Sequence, residues 1–309
     1  MKQLTSSEWI AHFLAADPPR SKSLVMTIFG DAVNPHGGSV WLGSLIELAA
    51  PFGVSDRLVR TSVFRLAQEG WLAASRGGRR SAYTIHPDAL ARFEHVNRRI
   101  YTPLDVHWDG CWTLLLGAAS PIGAPERNRL RKELEWEGFA QLAPGILGHP
   151  AGNAQVLDEI LTRLGLRAQV PVCAVRELPG APGRPLRELV DQGWDLAPVI
   201  ASYDHFAEVF EPLLALLQKG CAELEPERAF VIRTLLIHAY RRVQLHDPML
   251  PIELLPDPWP GSNAYELAAA IYRLTQAQAE RHVMDVLRRE DAAAPEADAP
   301  YYARFGGLY

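Results

Sequence analysis

Ser55-Asp56-Arg57-Leu58-Val59-Arg60-Thr61-Ser62-Val63-Phe64-Arg65-Leu66-Ala67-Gln68-Glu69-Gly70 reads as one helix with two unlike faces. Wound at about 100° per residue, it puts Val59, Val63 and Leu66 on one side, with Ser55 and Ser62 flanking them. The other side receives Arg57, Thr61, Phe64 and Gln68, with Arg60 and Arg65 on its shoulders. Ser55 is a helix-opening residue type and Gly70 a stop. Upstream, residues 21–33 predict a helix on the stripe Leu24, Val25, Ile28 and Phe29, ended by Asn34-Pro35-His36-Gly37-Gly38. Residues 40–50 predict a second helix, joined to the third by the short turn Pro51-Phe52-Gly53-Val54. Downstream, residues 71–76 and 81–85 predict two strands around the tip Gly77-Gly78-Arg79-Arg80. Three helices, the last two joined by a tight turn, and then a hairpin is the order of a winged helix-turn-helix.

Such a helix suits a DNA duplex. Its apolar back fixes it to a domain, and its front presents guanidiniums and hydroxyls to the major groove. Arginine fits because its planar fork meets guanine O6 and N7 together, or a phosphate. The candidate DNA-binding set is Ser55, Arg57, Arg60, Thr61, Phe64, Arg65 and Gln68 on the helix, with Arg76, Arg79 and Arg80 at the hairpin tip. Phe64 is the odd member, placed either over a thymine methyl or beneath the wing. Charge follows the same division. Residues 1–100 hold 12 Lys and Arg against 8 Asp and Glu, whereas residues 101–309 hold 19 against 28. The net charge of −5 therefore hides a basic head on an acidic body. From Arg57 to Arg80 there are six arginines and one acid, Glu69. Plain solvation is the bland explanation of a charged helix face, but it does not account for arginines confined to one helix and one hairpin tip.

The 309 residues have room for two or three domains. Residues 108–118 predict a buried strand, 125–137 a charged helix, 139–142 and 145–148 two short strands split by Pro144, 153–164 a helix and 170–177 a last strand. This β-α-β-β-α-β order is the split βαβ, ferredoxin-like pattern. Beyond a Gly/Pro linker at 179–185, helices are predicted over 186–192, 203–218, 227–244 and 265–289, with a proline-rich strap at 247–261. The expected chain is α+β: a lead-in over 1–20, a winged helix-turn-helix over 21–100 and a ferredoxin-like dimerisation domain over 101–180. A helical effector-binding domain over 181–290 and a flexible Ala/Pro tail over 291–309 complete it.

No apolar run approaches the roughly 18 residues of a membrane span. The first residues show no basic patch followed by an apolar stretch, so a cytoplasmic, membrane-free protein is expected. Cys111, Cys173 and Cys221 are too few and too far apart for a disulfide framework or a Cys-x-x-Cys site. His238, His246 and Asp247 lack metal-ligand spacing. No nucleophile elbow or Gly-rich phosphate loop is present, so neither an enzyme nor a resident cofactor is expected.

Residues 59–72, together with Ile237-His238-Ala239-Tyr240-Arg241-Arg242 and Asp247-Pro248-Met249-Leu250-Pro251-Ile252-Glu253-Leu254-Leu255-Pro256-Asp257-Pro258-Trp259-Pro260-Gly261, resemble the PaaX-type phenylacetic acid catabolism repressors. The resemblance runs from about Ser21 to Arg289. It implies a GntR-like winged helix, a ferredoxin-like middle domain and a helical C-terminal domain. It also implies a homodimer on a palindromic double-stranded operator, released by an aryl-CoA thioester, typically phenylacetyl-CoA. Ferredoxin-like folds include CRISPR-associated nucleases with an Asp ending the first strand. Here that strand runs Leu115-Leu116-Gly117-Ala118-Ala119-Ser120-Pro121, without a carboxylate for Mg²⁺. Tyr240, Arg241, Arg242 and Trp259 are the candidate effector residues: aromatic walls, and guanidiniums for the nucleotide end. Core packing explains the aromatics equally well, and the two arginines can instead complement a helix terminus or pair with Asp247. The alternatives to a repressor are an acyl-CoA-handling enzyme and a winged-helix adaptor that never touches DNA.

Overall fold

A computed structural model describes residues 5–78, 80–103, 108–117, 121–177, 185–220 and 224–308. The chain divides into two compact units. One comprises Met1–Pro103, His205–Gln244 and Asn263–Tyr309, the other Leu104–Asp204 and Leu245–Ser262. Residues from the N-terminal and C-terminal parts of the chain thus share the first unit.

The first unit opens with α1 (Ser6–Ala16), whose Thr5 and Glu8 form a reciprocal capping box. Residues 1–20 thus contain a helix rather than a bare lead-in, and its Trp9 and Phe13 are buried. α2 (Ser21–Ile28) continues through one π-helical turn, Phe29–Val33. β1 (Ser39–Trp41) takes the start of the stretch predicted as the second helix. Val40 is nearly inaccessible, and its β-branched side chain suits the strand that pairs with Tyr83. α3 (Leu42–Ala49) and α4 (Asp56–Gln68) follow, then β2 (Leu72–Gly77), β3 (Arg80–Ile85) and α5 (Leu90–Tyr101). The three strands form an antiparallel sheet in the order β1-β3-β2.

In the second unit β4 (Trp112–Leu116), α6 (Ala124–Trp136), β5 (Ala140–Ala143), β6 (Ile146–His149), α7 (Ala154–Arg163) and β7 (Val172–Val175) give an antiparallel sheet in the order β5-β6-β4-β7. This is the ferredoxin-like arrangement. The linker expected at 179–185 falls almost wholly outside the described residues, as do Ala118, Ala119 and Ser120. Alternation along β4 sends Leu115 to a core with Leu130, Leu134, Leu157 and Ile160. Trp112 and Leu114 point the other way, toward Trp108, Trp194 and Leu250. α8 (Val190–Gly193) is followed by Trp194, whose indole Nε1 donates to Gly138 O at 2.7 Å. Gly138 sits at φ +86° against the Pro248 carbonyl, in the space a Cβ would need.

α9 (Ala197–Gly220) and α10 (Pro226–Gln244) precede the strap, and α11 (Pro260–Glu290) follows it. α10 is buried on every side from Ala229 to His238, so no amphipathic stripe marks it. The terminal residues expected to be a flexible tail are ordered. α12 (Ala299–Tyr302) and the turn after it bury Tyr301, Arg304 and Phe305 in the first unit. The local sequence is polar and Ala/Pro-rich, but these three large side chains have partners far upstream.

Candidate nucleic-acid interface

α4 separates its side chains as the helical winding requires. Val59, Ser62, Val63 and Leu66 are buried, and Ser62 Oγ donates to Ser21 Oγ of α2 at 3.0 Å. Ser55, Arg57, Arg60, Thr61, Phe64, Arg65 and Gln68 are all accessible to solvent. Ser55 occupies the N-cap position, yet its side chain makes no capping hydrogen bond. Thr61 Oγ1 donates to Arg57 O at 2.8 Å. Phe64 is 60% exposed, so it does not pack beneath the hairpin. Leu58, which the two-faced pattern does not single out, is exposed on the same helix.

Among the described residues Arg57, Arg60 and Arg65 form no ion pair. The one acid that the segment contributes beyond the helix start, Glu69, is instead bound to Lys22 at 2.5 Å. The face is therefore left with uncompensated positive charge. In the hairpin, Arg76 faces Ser81 across the ladder and is exposed. Arg80 lies 4.5 Å above the Trp41 ring, a cation–π contact that holds it at the base of the tip. Arg79 lies outside the described residues.

The effector candidates fare differently. Tyr240 has no accessible surface; its hydroxyl accepts from Gln244 Nε2 at 2.8 Å and its ring packs on Phe206. Arg241 donates to Ser23 Oγ at 3.1 Å, and burial lowers its pKa. Arg242 pairs with Asp17 at 2.5 Å. Asp247 is engaged elsewhere, its carboxylate accepting from the Tyr203 hydroxyl at 2.5 Å and the Met249 amide at 2.7 Å. Trp259, in the second unit, is buried edge-on to Tyr203. Tyr240 in the first unit and Trp259 in the second are thus each covered by their own neighbours.

A polar hub in the first unit has no counterpart among the sequence motifs. The fully buried Asp31 pairs with Arg233 Nε at 2.9 Å and Arg304 Nη1 at 3.1 Å, and it accepts from the Tyr101 and Tyr272 hydroxyls at 2.8 Å each. Burial alone would lower Arg233, but the surrounding tyrosine oxygens and Asp31 raise it well above its ordinary value. Burial likewise pushes the Tyr101 and Tyr272 hydroxyls well up, so both stay protonated as donors. His36 meets Glu280 at 2.6 Å nearby. Among the described residues no group of three or more His, Cys, Asp or Glu is placed to hold a metal, and no helix is long and apolar enough to cross a membrane.

An exposed arginine-rich helix in a unit with a three-stranded sheet, in a chain that also carries a separate ferredoxin-like unit, defines a multidomain α+β protein. The chain belongs to the PaaX-like family. Residues 20–87 match the family described as PaaX-like protein, 105–186 the PaaX protein central Cas2-like domain, and 194–285 the PaaX-like protein C-terminal domain. It is 38% identical over 301 residues to the transcriptional repressor PaaX of Escherichia coli (strain K12), across 97% of this chain and 94% of the relative. That relative is a repressor, not an enzyme. Among solved structures, the uncharacterized protein Rv0674 from Mycobacterium tuberculosis aligns with a TM-score of 0.51 at 25% identity, covering 84% of this chain and 96% of that one.

Proposed function

We propose that this chain is a cytoplasmic, DNA-binding transcriptional repressor of phenylacetate-type catabolic genes. In this reading α3 and α4 are the helix-turn-helix, β2 and β3 the wing, and α4 the reading helix in the major groove. The observation that carries it is the uncompensated arginine face of α4, set on a fully buried back. One such head covers one half-site, so the repressor acts as a homodimer on a palindromic operator, with reading helices about 34 Å apart or a multiple of it. Kinship with a PaaX repressor supports the repressor role in phenylacetate catabolism, and an aryl-CoA effector such as phenylacetyl-CoA is what the resemblance of the sequence motifs implies.

Release requires that the effector favour a dimer geometry in which the two reading helices no longer match the half-sites. A coupling of about 1–3 kcal/mol gives roughly 5- to 150-fold induction, and operator DNA must then weaken effector binding by the same factor. A gel-shift titration on the DNA upstream of the chain's own gene, with and without phenylacetyl-CoA, tests both parts. A specific complex that dissolves on adding the thioester supports the reading. No specific complex at any moderate salt refutes it.

A further inference from the structure

Phe64 stands at the middle of the α4 face and can neither donate nor accept a hydrogen bond. The surface neighbours of a helical residue lie three and four positions away. For Phe64 these are Arg60 and Thr61 on one side, Ala67 and Gln68 on the other. Arg60, Thr61 and Gln68 are exposed, and Thr61 spends its hydroxyl proton on Arg57 O at 2.8 Å. Phe64 itself is 60% exposed, so its ring is not consumed by the core. The other large apolar side chain exposed on α4, Leu58, lies about 120° away round the helix, on the stripe of Arg65. An apolar ring is thus set among guanidiniums and an amide on the surface that carries the uncompensated positive charge.

A duplex in contact with that surface decides what the ring meets. Base edges in the major groove present hydrogen-bond donors and acceptors and a single kind of apolar group, the 5-methyl of thymine. A phenyl ring laid on a guanine, adenine or cytosine edge strips water from polar atoms and returns no hydrogen bond. Laid on a thymine methyl, it buries apolar surface on both partners. At the centre of a reading helix no outcome is neutral: the ring favours thymine and penalises the other bases.

We infer that Phe64 reads one thymine of each half-site through its 5-methyl group. The inference rests on the repressor reading above, in which α4 lies in the major groove. It divides the work on the helix. Arginine forks bind guanine edges or phosphate, whereas Phe64 imposes an A·T pair by an apolar contact that carries no charge and is insensitive to salt.

Fluorescence anisotropy at one salt concentration tests the contact. The duplexes are the operator upstream of the chain's own gene and copies in which each thymine of one half-site is replaced in turn by deoxyuridine. Uracil keeps the O4 acceptor of thymine and its pairing with adenine, and lacks only the methyl. The wild-type full-length protein should lose about four-fold in affinity at one thymine, the effect of one buried methyl. Phe64→Ala should bind the thymine and uracil forms of that duplex alike. Phe64→Leu, which keeps an apolar side chain, should retain part of the difference, and Leu58→Ala all of it. These variants alter exposed positions, and circular dichroism verifies that each folds. A wild type indifferent to every deoxyuridine overturns the contact while its operator complex leaves the repressor reading intact. So does a Phe64→Ala variant that still discriminates at the same thymine, or discrimination lost in Leu58→Ala instead. A wild type that forms no operator complex overturns the repressor reading, and the contact with it.

Discussion

Arg304, five residues from the last residue of the chain, donates from Nη1 to Oδ1 of Asp31 at 3.1 Å, 273 positions upstream. The carboxylate is fully buried and the guanidinium is 6% exposed. Asp31 lies in the π-helical turn that ends α2, and α2 packs on α4 through Ser21 and Ser62. The turn that carries Arg304 is thus part of the frame that supports α4.

Removing one partner of a buried ion pair strands the other. Arg304→Met is expected to lower unfolding free energy by about 3–5 kcal/mol. Arg242→Ala, which breaks the surface pair with Asp17, should cost only about 0–1 kcal/mol. Urea denaturation of both variants checks the contrast, and equal midpoints would show that the hub is not stabilising.

Acid should loosen the first unit through His238. Burial, reinforced by Arg241 and Arg242 and opposed by Asp17, pushes its imidazole down from 6.5 to about 4. Between those pH values the unfolded chain holds the extra proton and the folded chain does not, so stability rises with pH in that window and is lost as pH falls through it. Its full contribution, on the order of 3 kcal/mol, is present above about pH 6.5. His36 and His282 are lowered too, chiefly by burial, and add to the same trend. In denaturation curves from pH 7 to 4, His238→Gln should flatten the slope; an unchanged slope would assign the acid sensitivity elsewhere.

Two glycines with similar backbone angles should respond differently to alanine. Gly138 (φ +86°) faces the Pro248 carbonyl, whereas Gly165 (φ +71°) has open space where a Cβ would stand. Gly165→Ala pays only for the left-handed backbone, about 1 kcal/mol. Gly138→Ala adds a clash with backbone and should exceed about 2 kcal/mol. Comparable thermal midpoints for the two variants would mean the strap does not press on Gly138.

The hairpin arginines should read phosphate rather than sequence. Arg76→Ala and Arg80→Ala are expected to weaken specific and non-specific duplexes alike, and to reduce the slope of log K against log salt by about 1 for each phosphate no longer engaged. Fluorescence anisotropy over a salt series measures that slope. An effect on one base position alone would move these residues from the backbone to base readout.

What the sequence discloses and what it hides divide along the separation of interacting residues. The two faces of α4 and the β-α-β-β-α-β order are legible because helix and strand periodicities are local. β1 is hidden because Ser39–Trp41 is only three residues long and runs straight into α3. α1 carries a signal in Thr5 and Glu8, spaced as a capping box, but that spacing alone is a weak mark of a helix. The union of both chain ends in one unit, and the Asp31–Arg233–Arg304 hub, depend on pairings more than 200 residues apart that leave no periodic trace. Tyr240 and Trp259 resemble pocket walls in the sequence because an aromatic residue reads alike in a core and in a site.

The central claim, that α4 reads DNA through its arginine face, is tested most directly by titrating Arg57→Ala/Arg60→Ala against operator and scrambled duplex at one fixed salt concentration. Both side chains are exposed and make no ion pair among the described residues, so the variant should keep the wild-type unfolding midpoint. The account predicts a loss of about 1–3 kcal/mol in operator affinity for each position that reads a base, with a smaller loss on the scrambled duplex, so that the specificity ratio collapses. A folded variant that binds operator as tightly as wild type, with its preference over the scrambled duplex intact, would contradict the account.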